Sequence, residues 1–265
     1  MTNHQLSLCD PQLNARSSKL ESGEEMNGNV ALVTGANRGL GFGIARRVGE
    51  TGATVLVGAR DPNRGEAAAK ALSAAGLRAI FVRLDVTDIS SIEAAARMIE
   101  ERFGHLDILI NNAAISTEVD VPPSLTPLAD VRHVFDTNFF GVIAVTQTML
   151  PLLRKSQHGR IVNVSGALGS LTLHSDPDWE FRKFNILGYN ASKTALNAFT
   201  VFLANELRDT PIKVNSVSPG SVRTDFNKAG AMDPYDAAEA LMWLATLPSD
   251  GPTGGFFRGR DVIPW

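Results

Sequence analysis

The sequence predicts a single doubly wound α/β domain, in which a parallel sheet of about seven strands carries helices on both faces. Two observations predict it. Short apolar runs alternate with longer helical patterns from residue 29 onward, and a glycine-rich turn joins the first run to the first helix. Most of the short runs are continuously apolar, which is typical of parallel strands covered on both faces.

The predicted strands are spaced widely enough for a helix to lie between each pair. They lie at 30–34, 54–58, 79–84, 107–111, 160–164 and 212–217, with a short last strand near 255–257. The helical patterns lie at 39–51, 63–75, 89–103, 125–155, 188–208 and 234–247. Strands that alternate with helices in this way form right-handed βαβ units. We therefore predict one domain over residues 29–265, with no internal repeat.

Residues 1–28 differ from the rest of the chain. They are polar, rich in Ser, Asn and Glu, and they lack the apolar core of a signal peptide. Such a composition predicts a disordered leader.

Composition excludes several function classes. The net charge of −3 favours neither nucleic acid nor an anionic membrane as partner, and the apolar runs are too short to span a bilayer. The single cysteine, Cys9, allows no intrachain disulfide, which favours a reducing compartment and a cytoplasmic location. The five histidines show no metal-ligand spacing, so no metal site is predicted.

A glycine-rich turn over residues 34–41 follows the first strand and opens the first helix. Glycines at such a turn let the backbone approach a pyrophosphate, which then lies at a helix N-terminus. The alternative is a glycine-rich loop that binds nothing, and the position after the first strand argues against it. The turn residues assigned to cofactor binding are Gly35, Asn37, Arg38, Gly39, Leu40 and Gly41.

Basic residues near the second strand bear on the choice of dinucleotide. Arg60 follows that strand, where an acidic residue would bind the ribose hydroxyls of NAD and an arginine would meet a 2′-phosphate. Arg38 and Arg64 are placed to assist, because guanidinium groups match phosphate oxygens. Asp61 lies one residue beyond Arg60 and is the argument for NAD. The pattern favours NADP(H) over NAD(H).

Tyr189 and Lys193 open a helix after the fifth predicted strand. A spacing of four places them on one helix face, one turn apart. An ordinary tyrosine has a pKa near 10, and a neighbouring ammonium group is expected to lower it toward neutral pH. This pair therefore predicts acid–base chemistry at Tyr189.

From residue 29 to the C-terminus, these motifs resemble the short-chain dehydrogenase/reductase family, and in particular its carbonyl-reductase-like members, which have a Rossmann fold. The matching segments, in chain order, are the turn 34–41, Leu84-Asp85-Val86, Asn111-Asn112-Ala113-Ala114, Asn138 within 137–141, Tyr189 with Lys193, and the loop 218–224.

The resemblance implies direct hydride transfer between nicotinamide and a substrate carbon. It implies that Tyr189 transfers the proton, that Lys193 binds the nicotinamide ribose, and that Asn138 anchors a proton-relay water. Asn138 is also compatible with a structural role in kinking its helix. The resemblance further implies cofactor contacts at Asp85, Val86, Asn111, Ala113, Pro219, Gly220, Val222 and Thr224.

One family residue is displaced. The catalytic serine of the family lies second after the fifth strand, where this chain has Gly166, with Ser165 one position early. Adjacent side chains of an extended chain point in opposite directions, so Ser165 faces away unless the turn relaxes. Three interpretations stay open: Ser165 acts as the catalytic serine; a backbone N–H, a water or Ser170 replaces it; or the enzyme is slow.

The segment Leu171–Gly188, with Trp179, Phe181 and Phe184, is longer than the usual family connection. It is expected to line an apolar pocket for a small aldehyde, ketone or alcohol, the alternative being a flap that covers only itself. The opposite rim, Phe226–Asp233, is short. Family members commonly form homodimers or homotetramers through helices near 138–155 and 188–208, and a monomer is the alternative. The competing function, favoured only by Gly166, is a catalytically weak NADP(H)-binding sensor or scaffold.

Overall fold

The structure is a computed structural model that describes residues 28–117, 121–225 and 227–265. Apart from Gly28, the predicted leader lies outside the described residues. The strands are β1 (Val30–Thr34), β2 (Thr54–Ala59), β3 (Ala79–Arg83), β4 (Ile108–Asn111), β5 (Arg160–Val164), β6 (Lys213–Val217), β7 (Phe256–Arg258) and β8 (Asp261–Val262). The helices are α1 (Gly39–Glu50), α2 (Pro62–Ala74), α3 (Ile89–Phe103), α4 (Leu128–Phe135), α5 (Gly141–Leu153), α6 (Leu171–Ser175), α7 (Leu187–Glu206) and α8 (Pro234–Ala245).

The strands form one sheet in the order β3-β2-β1-β4-β5-β6-β7-β8. The pairs from β3 through β7 are parallel, and β8 pairs antiparallel with β7. The doubly wound prediction is therefore confirmed, with eight strands where about seven were expected. The added strand β8 has two residues, too few to leave a periodic signal in the sequence.

The sheet separates two apolar cores. Ala31 and Val33 face one core, with α1, α2 and α8, while Val30 and Leu32 face the other, with α3, α5 and α7. All five residues of β1 are buried, as its continuous apolar sequence predicts. Helices on both faces hold the carboxyl ends of the strands at one edge, where the loops of the site begin.

The single helix predicted over 125–155 is wrong. A 3₁₀ turn (Pro123–Leu125), helix α4, a π turn (Asp136–Phe140) and helix α5 occupy this region. Pro127 lies at the N-cap of α4, where its missing N–H costs nothing. The π turn adds a residue inside the apparent helix, and π turns of this kind are frequent at functional sites.

Candidate active site

The candidate site lies at the carboxyl edge of the sheet, beside the point where strand order reverses between β1 and β4. In open α/β sheets, ligands bind in the crevice at such a point. Helix α7 begins at Leu187 and therefore brings Tyr189, in its first turn, to the turn that follows β5.

Tyr189 and Lys193 lie one turn apart on α7, on the face directed at β5. The Lys193 Nζ is 5.6 Å from the centre of the Tyr189 ring. It donates a hydrogen bond of 2.7 Å to the carbonyl of Val164, the last residue of β5. Lys193 is only 2% exposed, so helix and strand together fix the position of its amine.

Burial shifts the pKa of both side chains. It raises the pKa of Tyr189 to about 12 and lowers that of Lys193 to about 7. The sequence-based expectation that Lys193 would lower the pKa of Tyr189 is therefore wrong for this structure. Loss of water around both groups disfavours phenolate and ammonium alike. Tyr189 is consequently a neutral phenol, ready to donate a proton, at neutral pH.

Gly166 lies directly beside the Tyr189 hydroxyl. A Cβ atom added at Gly166 would lie 3.3 Å from Tyr189 Oη, and apart from the adjacent Ser165 and Ala167 no other heavy atom of the described residues would lie within 4 Å. The backbone at Gly166 is extended, with φ −176°, so other residues can adopt it. The position at which the family resemblance implies a serine therefore carries no side chain, and it lies beside the Tyr189 hydroxyl.

The two serines considered as replacements point elsewhere. The Ser165 hydroxyl is 2% exposed and makes a long 3.5 Å contact with the carbonyl of Lys193. The Ser170 hydroxyl donates to the Pro264 carbonyl at 2.7 Å and accepts from Leu173 N–H at the start of α6. Ser170 is thus used as a helix cap.

Asn138 lies in the π turn and is completely buried. Its Oδ1 accepts from Ile115 N–H, while its Nδ2 donates to the Ile115 carbonyl and to the Ser192 hydroxyl. Both amide hydrogens are therefore used to join the loop after β4 to α7. The structural role considered for Asn138 agrees with these bonds, and its proposed relay role stays a prediction.

Asn111 is buried at the end of β4 and belongs to a polar chain across three strands. Its Nδ2 donates to Asn163 Oδ1 (2.9 Å) and to Thr146 Oγ1 (3.0 Å). Asn163 Nδ2 donates to Thr200 Oγ1, which shares a hydrogen bond of 2.8 Å with Ser216 Oγ. The side chain of Asn111 thus lies inside the protein, and only its main chain remains for the predicted cofactor contact.

The glycine-rich turn has the features of an anion site. Gly35 and Gly39 have φ angles of +64° and +52°, which favour glycine. Helix α1 has no side-chain hydrogen bond at its N-cap, whereas Asp61 and Asp88 cap α2 and α3. The first amides of α1 are therefore available to a ligand with negative charge, as a dinucleotide pyrophosphate requires.

The segment after β4 braces this turn. Thr34 Oγ1 accepts from the N–H groups of Asn112 (2.9 Å) and Ala113 (3.0 Å). The Asn112 side chain donates to the carbonyls of Thr34 and Gly35. Asn112 was not among the predicted site residues, although it belongs to the Asn111–Ala114 motif. The structure explains the motif as a clamp on the cofactor turn.

Two of the three predicted phosphate-binding arginines line one groove. The groove has a volume of about 390 Å³ and is lined by Asn37, Arg38, Arg64, Ala67, Ala68 and Asp225. Arg38 makes an exposed 2.6 Å ion pair with Asp225, which no sequence signal predicted. Asp61 caps α2 and lies 3.7 Å from Arg64, while Arg60 is exposed outside the groove lining.

The remaining predicted cofactor residues surround the same edge. Asp85 follows β3 and accepts from the N–H and hydroxyl of Thr87, and Val86 is buried. Gly220, with φ +83°, turns the loop after β6. Thr224 packs against the glycine-rich turn, because a Cβ atom added at Gly39 would lie 3.2 Å from its Cγ2. Leu40 packs on the first core, and Pro219 and Val222 lie in the loop with Gly220.

The long segment after β5 forms helix α6 and a series of turns. His174, Trp179, Phe181 and Phe184 contact one another in sequence, with ring centres 4.9–6.0 Å apart. Phe181 and Phe184 remain exposed. Asn190, next to Tyr189, donates to the Phe184 carbonyl at 2.7 Å and so ties this aromatic segment to the site.

The C-terminal residues hold the beginning of this segment. Thr172 N–H donates to the Trp265 carbonyl at 2.9 Å, and the Trp265 ring stacks on Phe256 of β7. Together with the bond from Ser170 to Pro264, these contacts attach α6 to the sheet. The last two residues of the chain are therefore docked on the domain. Of the opposite rim, Phe226 lies outside the described residues.

Two other kinds of site are absent from the described ranges. No helix there is long and apolar enough to cross a membrane. No group of three or more His, Cys, Asp or Glu side chains in those ranges could hold a metal ion.

Comparison with known proteins agrees with this geometry. A family profile described as short chain dehydrogenase matches residues 29–233. A short-chain dehydrogenase of Penicillium roqueforti, anuI, is 39% identical over 226 residues, covering 82% of this chain and 88% of that protein. Carbonyl reductase [NADPH] 1 of Sus scrofa is 34% identical, covering 90% and 95% of the two chains.

Solved structures give the same result. The NADPH-bound carbonyl reductase from chicken fatty liver matches with a TM-score of 0.78 and 28% identity, covering 90% of this chain and 99% of that one. Salutaridine reductase from Papaver somniferum matches with a TM-score of 0.74 and 30% identity, covering 86% and 99%.

Proposed function

The chain belongs to the short-chain dehydrogenase family and is an oxidoreductase, and from that premise we propose that it reduces an aldehyde or ketone to the alcohol with NADPH. The observation that carries the proposal is the position of Tyr189. Its hydroxyl lies beside Gly166 at the carboxyl edge of the sheet, on the helix that also carries Lys193. A half-buried phenol at this edge is placed to protonate a carbonyl oxygen.

The residues at the glycine-rich turn fit a dinucleotide. The N-terminus of α1 lacks a side-chain cap, and positive φ angles at Gly35 and Gly39 keep the turn close to any bound phosphate. Arg38 and Arg64 share a groove beside it, which favours the extra phosphate of NADP(H) over NAD(H). When bound, the reduced dinucleotide supplies a hydride to the substrate carbon.

The protein's part in the reaction is to hold and move the proton. Tyr189, whose pKa is raised to about 12, is protonated at neutral pH and suits the direction of carbonyl reduction. Lys193 remains tied to the end of β5 through Val164 and is placed to meet the cofactor ribose. A charged or polar partner at the ribose would favour the ammonium form of Lys193. The positive charge of that ammonium group would lower the pKa of Tyr189 and so ease the loss of its proton.

Replacing Tyr189 by phenylalanine tests the proposal. We expect Tyr189→Phe to lower kcat for NADPH-dependent aldehyde reduction by roughly two to four orders of magnitude, because the proton donor is lost. NADPH affinity is expected to change little. Steady-state rates by NADPH oxidation and binding by fluorescence titration measure the two effects.

Tyr235→Phe is the matched control. Tyr235 is the only other tyrosine of the sequence, and its hydroxyl bonds to exposed Glu50 away from the edge of the sheet. It should keep the parent rate. Full activity in Tyr189→Phe would contradict the proposal, and NADPH binding without turnover of any carbonyl by the unaltered protein would favour the sensor or scaffold function.

A further inference from the structure

Position 166, which lies beside the Tyr189 hydroxyl, carries no side chain. A Cβ atom there would lie 3.3 Å from Tyr189 Oη and, apart from the adjacent Ser165 and Ala167, within 4 Å of no other heavy atom of the described residues. A serine there would need only a small shift of the phenol to bring its hydroxyl into contact with the substrate oxygen. The glycine leaves that volume to the substrate.

Four neighbouring donors of the protein are directed elsewhere. The hydroxyl of Ser165 contacts the Lys193 carbonyl, and that of Ser170 donates to the Pro264 carbonyl. The N–H of Ala167 donates to Ser218 Oγ at 3.1 Å. The Lys193 amine donates to the Val164 carbonyl. None of these four groups is directed at the space beside Gly166.

During carbonyl reduction, a second hydrogen-bond donor beside Tyr189 would stabilise the transition state. Negative charge develops on the carbonyl oxygen as hydride reaches the carbon, and loss of one oriented donor costs roughly two or more orders of magnitude in rate. A hydroxyl on the substrate can supply this bond itself. When it lies on the β carbon, it bonds the carbonyl oxygen through a six-membered ring.

We propose that the substrate itself supplies the hydrogen-bond donor that Gly166 lacks. The substrate is therefore a carbonyl compound with a β-hydroxyl group, such as an ortho-hydroxyaryl aldehyde or a β-hydroxy ketone. The inference rests on the proposed function and deepens it. Hydride from the reduced nicotinamide adds to the carbonyl carbon, and Tyr189 gives its proton to the carbonyl oxygen. The products are a diol or hydroxybenzyl alcohol and the oxidised dinucleotide, with the substrate hydroxyl unchanged.

The test compares isomeric probes across three enzymes. The probes are ortho-hydroxybenzaldehyde, para-hydroxybenzaldehyde and ortho-methoxybenzaldehyde, and the enzymes are the unaltered protein, Gly166→Ser and Gly166→Ala. We expect the unaltered protein to prefer the ortho-hydroxy aldehyde over both others by about tenfold or more in kcat/KM. In Gly166→Ser, the preference should fall by about tenfold, because serine supplies the donor and fills the space.

Gly166→Ala fills the space without a donor. It should lose rate on the ortho-hydroxy aldehyde and gain none on the others. The intrinsic reactivity of each aldehyde is the same for all three enzymes, so a change in the rate ratio from one enzyme to another reports the contribution of position 166. NADPH affinity and thermal unfolding confirm that the variants are folded, as the extended backbone at Gly166 predicts.

Turnover with no ortho-hydroxy preference, or a preference unchanged in Gly166→Ser, would overturn the inference and leave the proposed function standing. It would mean that a water, or no donor, occupies the space. If neither variant folds, equal rates of the unaltered protein on ortho-hydroxy and ortho-methoxy aldehydes would still overturn it. No turnover of any aldehyde by the unaltered protein would overturn the proposed function and this inference together.

Discussion

Arg38, which lines the groove beside the glycine-rich turn, is held in place by an ion pair. Its guanidinium pairs with Asp225 at 2.6 Å, and both side chains are largely exposed. An exposed ion pair is worth little, typically less than about 1 kcal/mol, so a phosphate can displace it. The same carboxylate nevertheless adds a negative charge to a groove that is proposed to take a 2′-phosphate.

Asp225→Asn is therefore expected to tighten NADPH binding. Removing the competing charge should lower the Kd for NADPH by roughly two- to fivefold at low salt and leave that for NADH nearly unchanged. Isothermal titration with both dinucleotides measures this difference. Asp209→Asn, on an exposed residue after α7, serves as the control for a change in net charge. Weaker NADPH binding in Asp225→Asn would contradict the role given to the pair.

The site could be predicted from the sequence where chemistry depends on spacing. The four-residue spacing of Tyr189 and Lys193 predicted that both side chains lie on one helix face at the edge of the sheet. The displacement of the serine could be inferred from the glycine at position 166. The direction of the Tyr189 pKa shift could not be predicted, because it depends on burial by residues far apart in sequence. For the same reason, the ion pair between Arg38 and Asp225 could not be predicted from the sequence.

Among the elements, α1 and α8 make a close contact that positions the cofactor turn. A Cβ atom added at Gly43 of α1 would lie 2.5 Å from the Pro234 carbonyl at the start of α8. Tyr235 lies over the same helix, with Arg46 and Arg47 against its ring. The glycine thus sets how near α1 comes to α8, and with it the position of the α1 N-terminus.

Gly43→Ala is expected to destabilise the protein by roughly 1–3 kcal/mol, because a backbone carbonyl cannot move aside as a side chain can. It should also weaken NADPH binding, since α1 must shift. Gly49→Ala in the same helix is the matched control: its new Cβ would meet only the Leu77 side chain, at 3.1 Å. Urea unfolding and NADPH titration of both variants measure the effects. Equal stability of the two would show that the contact between α1 and α8 is tolerant.

The elements that the sequence missed are short or depend on distant contacts. Helix α6 has five residues and is capped by Ser170, whose hydroxyl also binds Pro264 near the C-terminus. The break in the helix predicted over 125–155 coincides with Asn138, whose side chain bonds the main chain of Ile115. The periodicity of apolar residues indicates which face of a helix is buried, but it does not depend on such hydrogen bonds. The helix boundaries near the site could therefore not be predicted from it.

At the scale of the whole molecule, Lys193 couples folding to the release of a proton. Burial lowers its pKa from an ordinary value of 10.5 to about 7. Between these values the unfolded chain binds a proton that the folded protein has lost. The free energy of unfolding therefore rises with pH in that window, and the destabilisation is fully present below about pH 7.

We expect the unaltered protein to gain about 2 kcal/mol of stability relative to Lys193→Met between about pH 7 and pH 9. Urea unfolding at several pH values gives the two slopes. Lys70→Met, on an exposed lysine, should follow the unaltered protein and so controls for the lost charge. Parallel slopes for Lys193→Met and the unaltered protein would mean that Lys193 keeps its proton in the folded state.

The overall architecture was the most predictable level, because alternation of apolar strands and helices repeats along the whole chain and does not depend on any one contact. The oligomeric state is harder to predict from the alternation of strands and helices. Phe202 is exposed on α7, within a region predicted to join subunits. Dimers or tetramers through this helix stay a prediction, as does the monomer.

The docking of the last residues on α6 has a practical consequence for handling the protein. Trp265 and Pro264 hold the start of the segment that leads to Tyr189. An affinity tag or reporter joined after Trp265 would place extra chain against that segment. Removal of these two residues would take away the bonds that attach α6 to the sheet.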